Sequence, residues 1–134
     1  MLKKLEFAAV AVENLQEGAE LYERLFGLTR LTGVEERPGW GLARILLGNG
    51  QESLVELIAP TREDSALARF LRGRGEGLYL LAFQVDDLEA ALAELQQKGA
   101  RTIGPEDAEP GIRIAWVHPR SVKGTFIALR QHVD

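Results

Sequence analysis

Apolar positions along this chain alternate between short runs of strand length and stretches at helical spacing, and the alternation occurs twice. Leu5 to Leu15 reads LEFAAVAVENL and Leu78 to Leu88 reads LYLLAFQVDDL. Each is an apolar run closing on valine, then two polar residues able to cap a helix, then a leucine that opens a helical pattern. Leu15, Ala19, Tyr22 and Phe26 then recur at helical spacing up to Gly27, and Leu88, Ala91, Leu92 and Leu95 do so up to Gly99. Asn14 with Glu17, and Asp86 with Glu89, have the form of capping boxes. Each copy closes on a β-rich run, SLVELIA (Ser53 to Ala59) and TFIALRQ (Thr125 to Gln131). The pattern predicts a strand, a helix and about three strands, twice over.

Strand alternation sends Glu6, Ala8, Val10 and Val12 to one face and Leu5, Phe7, Ala9 and Ala11 to the other. Val10 and Val12 are expected beneath the helix, which leaves the second face looking into whatever the two copies enclose. Leu28 to Glu36 and Leu42 to Leu47 are the predicted middle strands, parted by a Pro38-Gly39 turn, and Gly48-Asn49-Gly50 turns the chain again. Between the copies, Asp64 and Ser65 are caps for a short helix, Ala66 to Leu71. The glycine-rich run Gly73 to Gly77 is followed by no Gly-Lys-Ser/Thr and opens no helix, so a flexible crossover is expected rather than a phosphate loop. Gly104 to Gly111, GPEDAEPG, reads as a solvated acidic loop. Ile112 to Val117 is the next strand, His118 to Ser121 a turn, and Gly124 to Gln131 the last strand.

Composition narrows the chemistry. A chain of 134 residues is expected to form one domain with a core of its own. It has no cysteine, which excludes a disulfide framework, thiolate metal sites and cysteine nucleophiles. The net charge of -4 argues against nucleic-acid binding, and no run is long enough to span a bilayer. The start, MLKKLEF, carries charges with no apolar run behind them, so a cytoplasmic location is expected.

Two copies of strand, helix and three strands resemble the vicinal oxygen chelate superfamily of glyoxalase, bleomycin-resistance and dioxygenase proteins. Four segments are similar to the methylmalonyl-CoA epimerase family within it: VELIAP and EDSALARFL between 55 and 71, GEGLYLLAFQVDDLEAAL at 75 to 92, and HPRSVKG at 118 to 124. The resemblance implies an α+β fold of two tandem βαβββ modules, 4–60 and 78–134 joined by 61–77, forming a curved, mixed-sheet open barrel around a central pocket. It also implies a divalent metal on four positions, one from the first and one from the last strand of each module. Those positions fall on Phe7 and Leu80, where the family has histidines, on Glu56, where it has glutamate or glutamine, and on Ala128, where it has glutamate. Phenylalanine, leucine and alanine offer no donor. No metal or other cofactor is therefore expected unless the ligands lie elsewhere, and Glu56 is the only ligand-position residue to survive.

Alternation places Gln84 and Arg130 on the face of Leu80 and Ala128, so the candidate ligand pocket comprises Phe7, Glu56, Leu80, Gln84, Ala128 and Arg130. Arg130 is a candidate either to pair with Glu56 or to receive a ligand carboxylate. Arg44 and Arg113 are weaker candidates for anion contacts, and both are expected to snorkel at a sheet edge. Glu6 and Tyr79 adjoin two of the lost ligand positions but point to the opposite face. His132 lies where the terminus is expected to fray, and His118 is expected to be hydrogen-bonded in its turn. Catalytic residues stay unassigned. The expected function is that of a metal-free small-molecule or acyl-ligand binding protein, with an acyl-CoA as candidate ligand and a homodimer as candidate assembly. The alternative is an isomerase or lyase of the epimerase type with a rearranged site.

Overall fold

A computed structural model describes residues 1–133. Its elements run β1 (Leu2–Ala11), α1 (Leu15–Phe26), β2 (Thr29–Arg30), β3 (Glu35–Arg37), β4 (Leu42–Gly48), β5 (Ser53–Pro60), α2 (Ala66–Arg74), β6 (Gly77–Val85), α3 (Leu88–Gln97), β7 (Thr102–Glu109), β8 (Ile112–Val117) and β9 (Ile127–His132). Short 3-10 turns cover Pro38–Trp40 and Pro119–Val122. The fold is α+β with mixed parallel and antiparallel strand pairing, and no helix among the described residues is long and apolar enough to cross a membrane. The chain divides into two compact units, Phe7–Tyr79 and the segment Met1–Glu6 with the chain from Leu80 onward.

In the unit Phe7–Tyr79, β1 runs parallel to β5, β4 is antiparallel to β5, and both β2 and β3 pair antiparallel with β4. Helix α1 begins where it is expected because Asn14 Oδ1 accepts the Glu17 N–H at 3.0 Å, and it stops where Gly27 turns left-handed at φ 68°. Its buried stripe meets Val12, Ile45, Leu47, Leu57 and Ala59, with Val10 packed against them, so the first strand does present its valines to the helix. Gly18 permits this approach, since a Cβ there would lie 3.3 Å from Leu57 Cδ1.

Gly48 is more tightly constrained. A Cβ at this position would sit 2.3 Å from the Glu52 carbonyl oxygen, and backbone cannot rotate away as a side chain can. Gly48→Ala is therefore expected to lower stability by about 1–3 kcal/mol, read as a downward shift of the urea midpoint with an unchanged slope. Gly50→Ala, at an exposed turn with nothing within 4 Å but φ +91°, separates the steric cost from the conformational one.

The second unit repeats the plan. Strand β6 runs parallel to β9, β8 is antiparallel to β9, and β7 is antiparallel to β8. Helix α3 seals Val85, Leu88, Leu92, Val117 and Leu129 into the core. In both units the strand before the helix thus lies parallel to the unit's last strand, which the intervening antiparallel hairpins bring back.

Four local expectations change. The predicted strand Leu28 to Glu36 is broken into β2 and β3 by a bend at Leu31 and Thr32. The predicted acidic loop is most of β7, an edge strand whose pairing with β8 slips between Ile103 and Glu106 and between Asp107 and Glu109. Edges and bulges accommodate proline and charge that a central strand would not. Helix α3 is capped by Asp87, whose Oδ1 accepts from Ala90 N–H at 3.0 Å, rather than by Asp86. Helix α2 extends beyond Leu71 to Arg74, with Ser65 as its cap.

Candidate functional site

Each unit carries a buried charged cluster on its strands. In the unit Phe7–Tyr79 the centre is Arg44 on β4, only 6% exposed. Glu56 on β5 lies opposite Leu46, two residues along from Arg44, so the two side chains share a face as diagonal neighbours. Arg44 Nη1 donates to Glu56 Oε2 at 2.8 Å, and Arg44 Nε donates at 3.0 Å to Glu35 Oε1, which β3 places directly opposite. Snorkelling was the expectation for Arg44. Instead the cation is drawn inward, because carboxylates on both flanking strands replace the water it loses.

The second unit centres on Arg130, also 6% exposed. Its Nη2 donates to Glu109 Oε1 at 2.8 Å and its Nη1 donates to Glu6 Oε1. Glu6 is 8% exposed, and its other oxygen, Oε2, lies 2.8 Å from His132 Nε2. One carboxylate is thus held between a guanidinium and an imidazole whose side chain stays 48% exposed. Glu6, expected on the helix face, belongs here because residues 1–6 pack with the second unit rather than with the rest of the first strand. His132 is no frayed end: it pairs with Ile112 across β8 and β9. Glu109 was missed because its segment reads as a loop.

The candidate pocket residues fall out as follows. Phe7 and Ala128 are buried, and Leu80 and Gln84 half-buried. On β1 and β5, Ala9 and Glu56 are register partners, so Phe7 lies two residues along the face that carries Glu56. On β6 and β9, Ala82 pairs with Ala128 and Gln84 with Arg130. Within its unit Glu56 is engaged by Arg44, while Arg130 is engaged by Glu6 and Glu109. Arg113 is bound at the surface by Glu89, 2.9 Å away. His118 Nδ1 accepts the Arg120 N–H at 3.1 Å, as its turn requires. Among the described residues no group of three or more His, Asp or Glu side chains is disposed to hold a metal ion.

Tyr79 sits edge-on to Phe70, ring centroids 4.9 Å apart. Burial pushes its phenol above the ordinary 10.0, and the Arg69 charge partly opposes that rise. A raised folded-state value gives stability that is present below the unfolded pKa and is lost as pH rises through the folded one. Stability should therefore decline with pH above about 10, and Tyr79→Phe should lessen that decline. Urea titrations of both proteins across this range check it.

A separate cleft of about 320 Å³ opens within the unit Phe7–Tyr79, between the chain at Pro60 to Glu63 and helix α2. Pro60, Ala68 and Leu71 give it apolar surface, while Glu13, Arg62 and Arg72 stand at its polar side.

The chain is 27% identical over 135 residues to the ethylmalonyl-CoA/methylmalonyl-CoA epimerase of Cereibacter sphaeroides, covering 98% of this chain and 99% of that one. It superposes with a TM-score of 0.90, at 26% identity over all of both chains, on a variant of Streptomyces coelicolor methylmalonyl-CoA epimerase in complex with 2-nitronate-propionyl-CoA. A methylmalonyl-CoA epimerase in complex with methylmalonyl-CoA and NH4+ matches at a TM-score of 0.89 and 27% identity, over 98% of this chain and 96% of that one. Residues 8–116 match the glyoxalase/bleomycin resistance protein/dioxygenase superfamily, and the chain, with its two units of strand, helix and further strands, belongs to that superfamily.

Proposed function

We propose that this protein is an acyl-CoA-binding member of the superfamily, similar in ligand class to the methylmalonyl-CoA epimerases, and that its ancestral metal positions no longer coordinate an ion. The observation that carries the second part is the Arg44–Glu56 pair at 2.8 Å. Of the four positions the resemblance assigns to the metal, Phe7, Leu80 and Ala128 supply no donor atom. The remaining carboxylate already faces a guanidinium, whose charge repels a divalent cation from the same oxygen. The residues present do not fit the metal, and no step is routed through one. Phe7, Glu56, Leu80, Gln84, Ala128 and Arg130 remain the proposed ligand-facing residues.

The acyl-CoA part is supported by full-length likeness to epimerases, two of which were solved in complex with methylmalonyl-CoA or 2-nitronate-propionyl-CoA. Calorimetric titration with propionyl-CoA and methylmalonyl-CoA tests it. Saturable binding with one ligand per chain is expected, unchanged by EDTA. Absence of binding to either thioester overturns it.

One observation favours a second reading, an isomerase or lyase with a rearranged site. Glu6 orients the His132 ring from one side while the imidazole remains accessible, an arrangement able to move a proton. Proton–deuterium exchange at the α carbon of methylmalonyl-CoA, catalysed by the wild type and abolished by His132→Gln, would support that reading. No exchange above the buffer rate would leave the protein a binder.

A further inference from the structure

Charge on the strands can be counted face by face. In the unit Phe7–Tyr79, register and alternation put Arg37, Glu35, Arg44, Glu56 and Phe7 on one face. Arg44 spends Nη1 on Glu56 at 2.8 Å, and Nε and Nη2 on Glu35 at 3.0 Å. Arg37 Nη2 donates to the same Glu35 oxygen at 3.5 Å. Two guanidiniums meet two carboxylates, so these side chains leave no excess of positive charge.

The other unit is poorer still in cations. Arg130 on β9 shares its face with Ala128, and with Leu80, Ala82 and Gln84 on β6. Its fork is divided between two carboxylates, Glu6 and Glu109. His132 touches Glu6 and adds charge only when protonated. The side chains of Arg44 and Arg130 are each only 7% exposed. A ligand carboxylate can therefore engage either guanidinium only by taking the place of a glutamate. The displaced glutamate would lose the cation that compensates its own burial.

The other proposed ligand-facing residues are uncharged. Phe7 and Ala128 are buried, and Leu80 is half-buried. The half-buried Gln84 amide makes no hydrogen bond among the described residues. An amide N–H can serve a thioester carbonyl, but it brings no charge to offset the desolvation of a carboxylate. Surroundings in which every cation is already spent on an acid discriminate against an anionic ligand by leaving its charge unpaired.

We infer that the ligand-facing residues select acyl groups without charge and reject those that carry a free carboxylate. The inference deepens the proposed function and rests on it for the thioester. Isobutyryl-CoA and methylmalonyl-CoA make the test pair, because their acyl groups have the same branched shape and differ by a methyl in place of the carboxylate. Both are titrated calorimetrically into the wild type, Glu56→Gln and Leu80→Lys, with circular dichroism to verify the fold of each. Glu56→Gln removes one negative charge while its amide oxygen still accepts from Arg44, and Leu80→Lys adds a cation at an apolar position.

The expected result is that the wild type binds isobutyryl-CoA about tenfold or more tightly than methylmalonyl-CoA, and that each variant narrows this ratio by about fivefold or more. Equal affinities in the wild type, or a preference for methylmalonyl-CoA, overturn the inference and leave the acyl-CoA reading standing. A wild-type preference that neither folded variant narrows also overturns it, because the discrimination then does not arise from charge. Binding of neither thioester overturns the acyl-CoA reading and the inference with it.

Discussion

Replacing Arg130 with methionine is expected to cost about 3–5 kcal/mol of unfolding free energy, the range found when one partner of a buried ion pair is removed. The guanidinium serves two carboxylates from different strands, Glu6 on β1 and Glu109 on β7. Its loss takes the guanidinium from Glu6, which is 8% exposed and keeps its contact with His132. Arg130→Lys keeps the charge but not the fork that reaches both acids, so an intermediate loss is expected. The Glu6→Gln/Arg130→Met pair should recover part of the cost, because the uncompensated charge disappears with its partner. Equilibrium urea unfolding of the wild type, Arg130→Met, Arg130→Lys, Glu6→Gln and the double variant measures this. Additive single losses would show that the two residues do not interact.

The second large effect concerns the Arg44–Glu56 pair. Arg44→Met is expected to cost about 3–5 kcal/mol, again by leaving a largely buried carboxylate, that of Glu56, uncompensated. Glu56→Gln should cost less, about 1 kcal/mol, since a neutral amide oxygen still accepts from Arg44 Nη1. The asymmetry follows from the geometry: Arg44 holds both Glu35 and Glu56, whereas substitution at Glu56 leaves the Glu35 contact in place. Thermal melts of the two single variants and the double variant give the coupling. Equal losses for both singles would mean that Glu35 contributes nothing to holding Arg44.

Much of this architecture is legible along the chain. Val10 and Val12, read by alternation, are packed where expected under α1, and the Asn14 and Gly27 signals mark its ends. These features are local, so sequence spacing carries them. What escapes is set by residues far apart in the chain. Glu109 belongs to a stretch dominated by proline, glycine and acids, and only pairing with β8 makes it a strand that delivers a carboxylate to Arg130. Glu6 follows the alternation of its own strand in sequence, yet its partners come from the opposite end of the chain. A signal was present in the lone carboxylate of an apolar first strand together with an arginine and a histidine two residues apart in the last. Arg44 likewise carried no local mark of burial; its two acids arrive through strand register.

The most direct test of the central claim is the metal content of the purified protein after dialysis against cobalt, with Glu56→Ala and Arg44→Met beside the wild type. Wild type and Glu56→Ala are both expected to retain no stoichiometric metal, while propionyl-CoA still binds the wild type in EDTA. One metal ion per wild-type chain that disappears in Glu56→Ala would contradict the claim and restore Glu56 as a ligand.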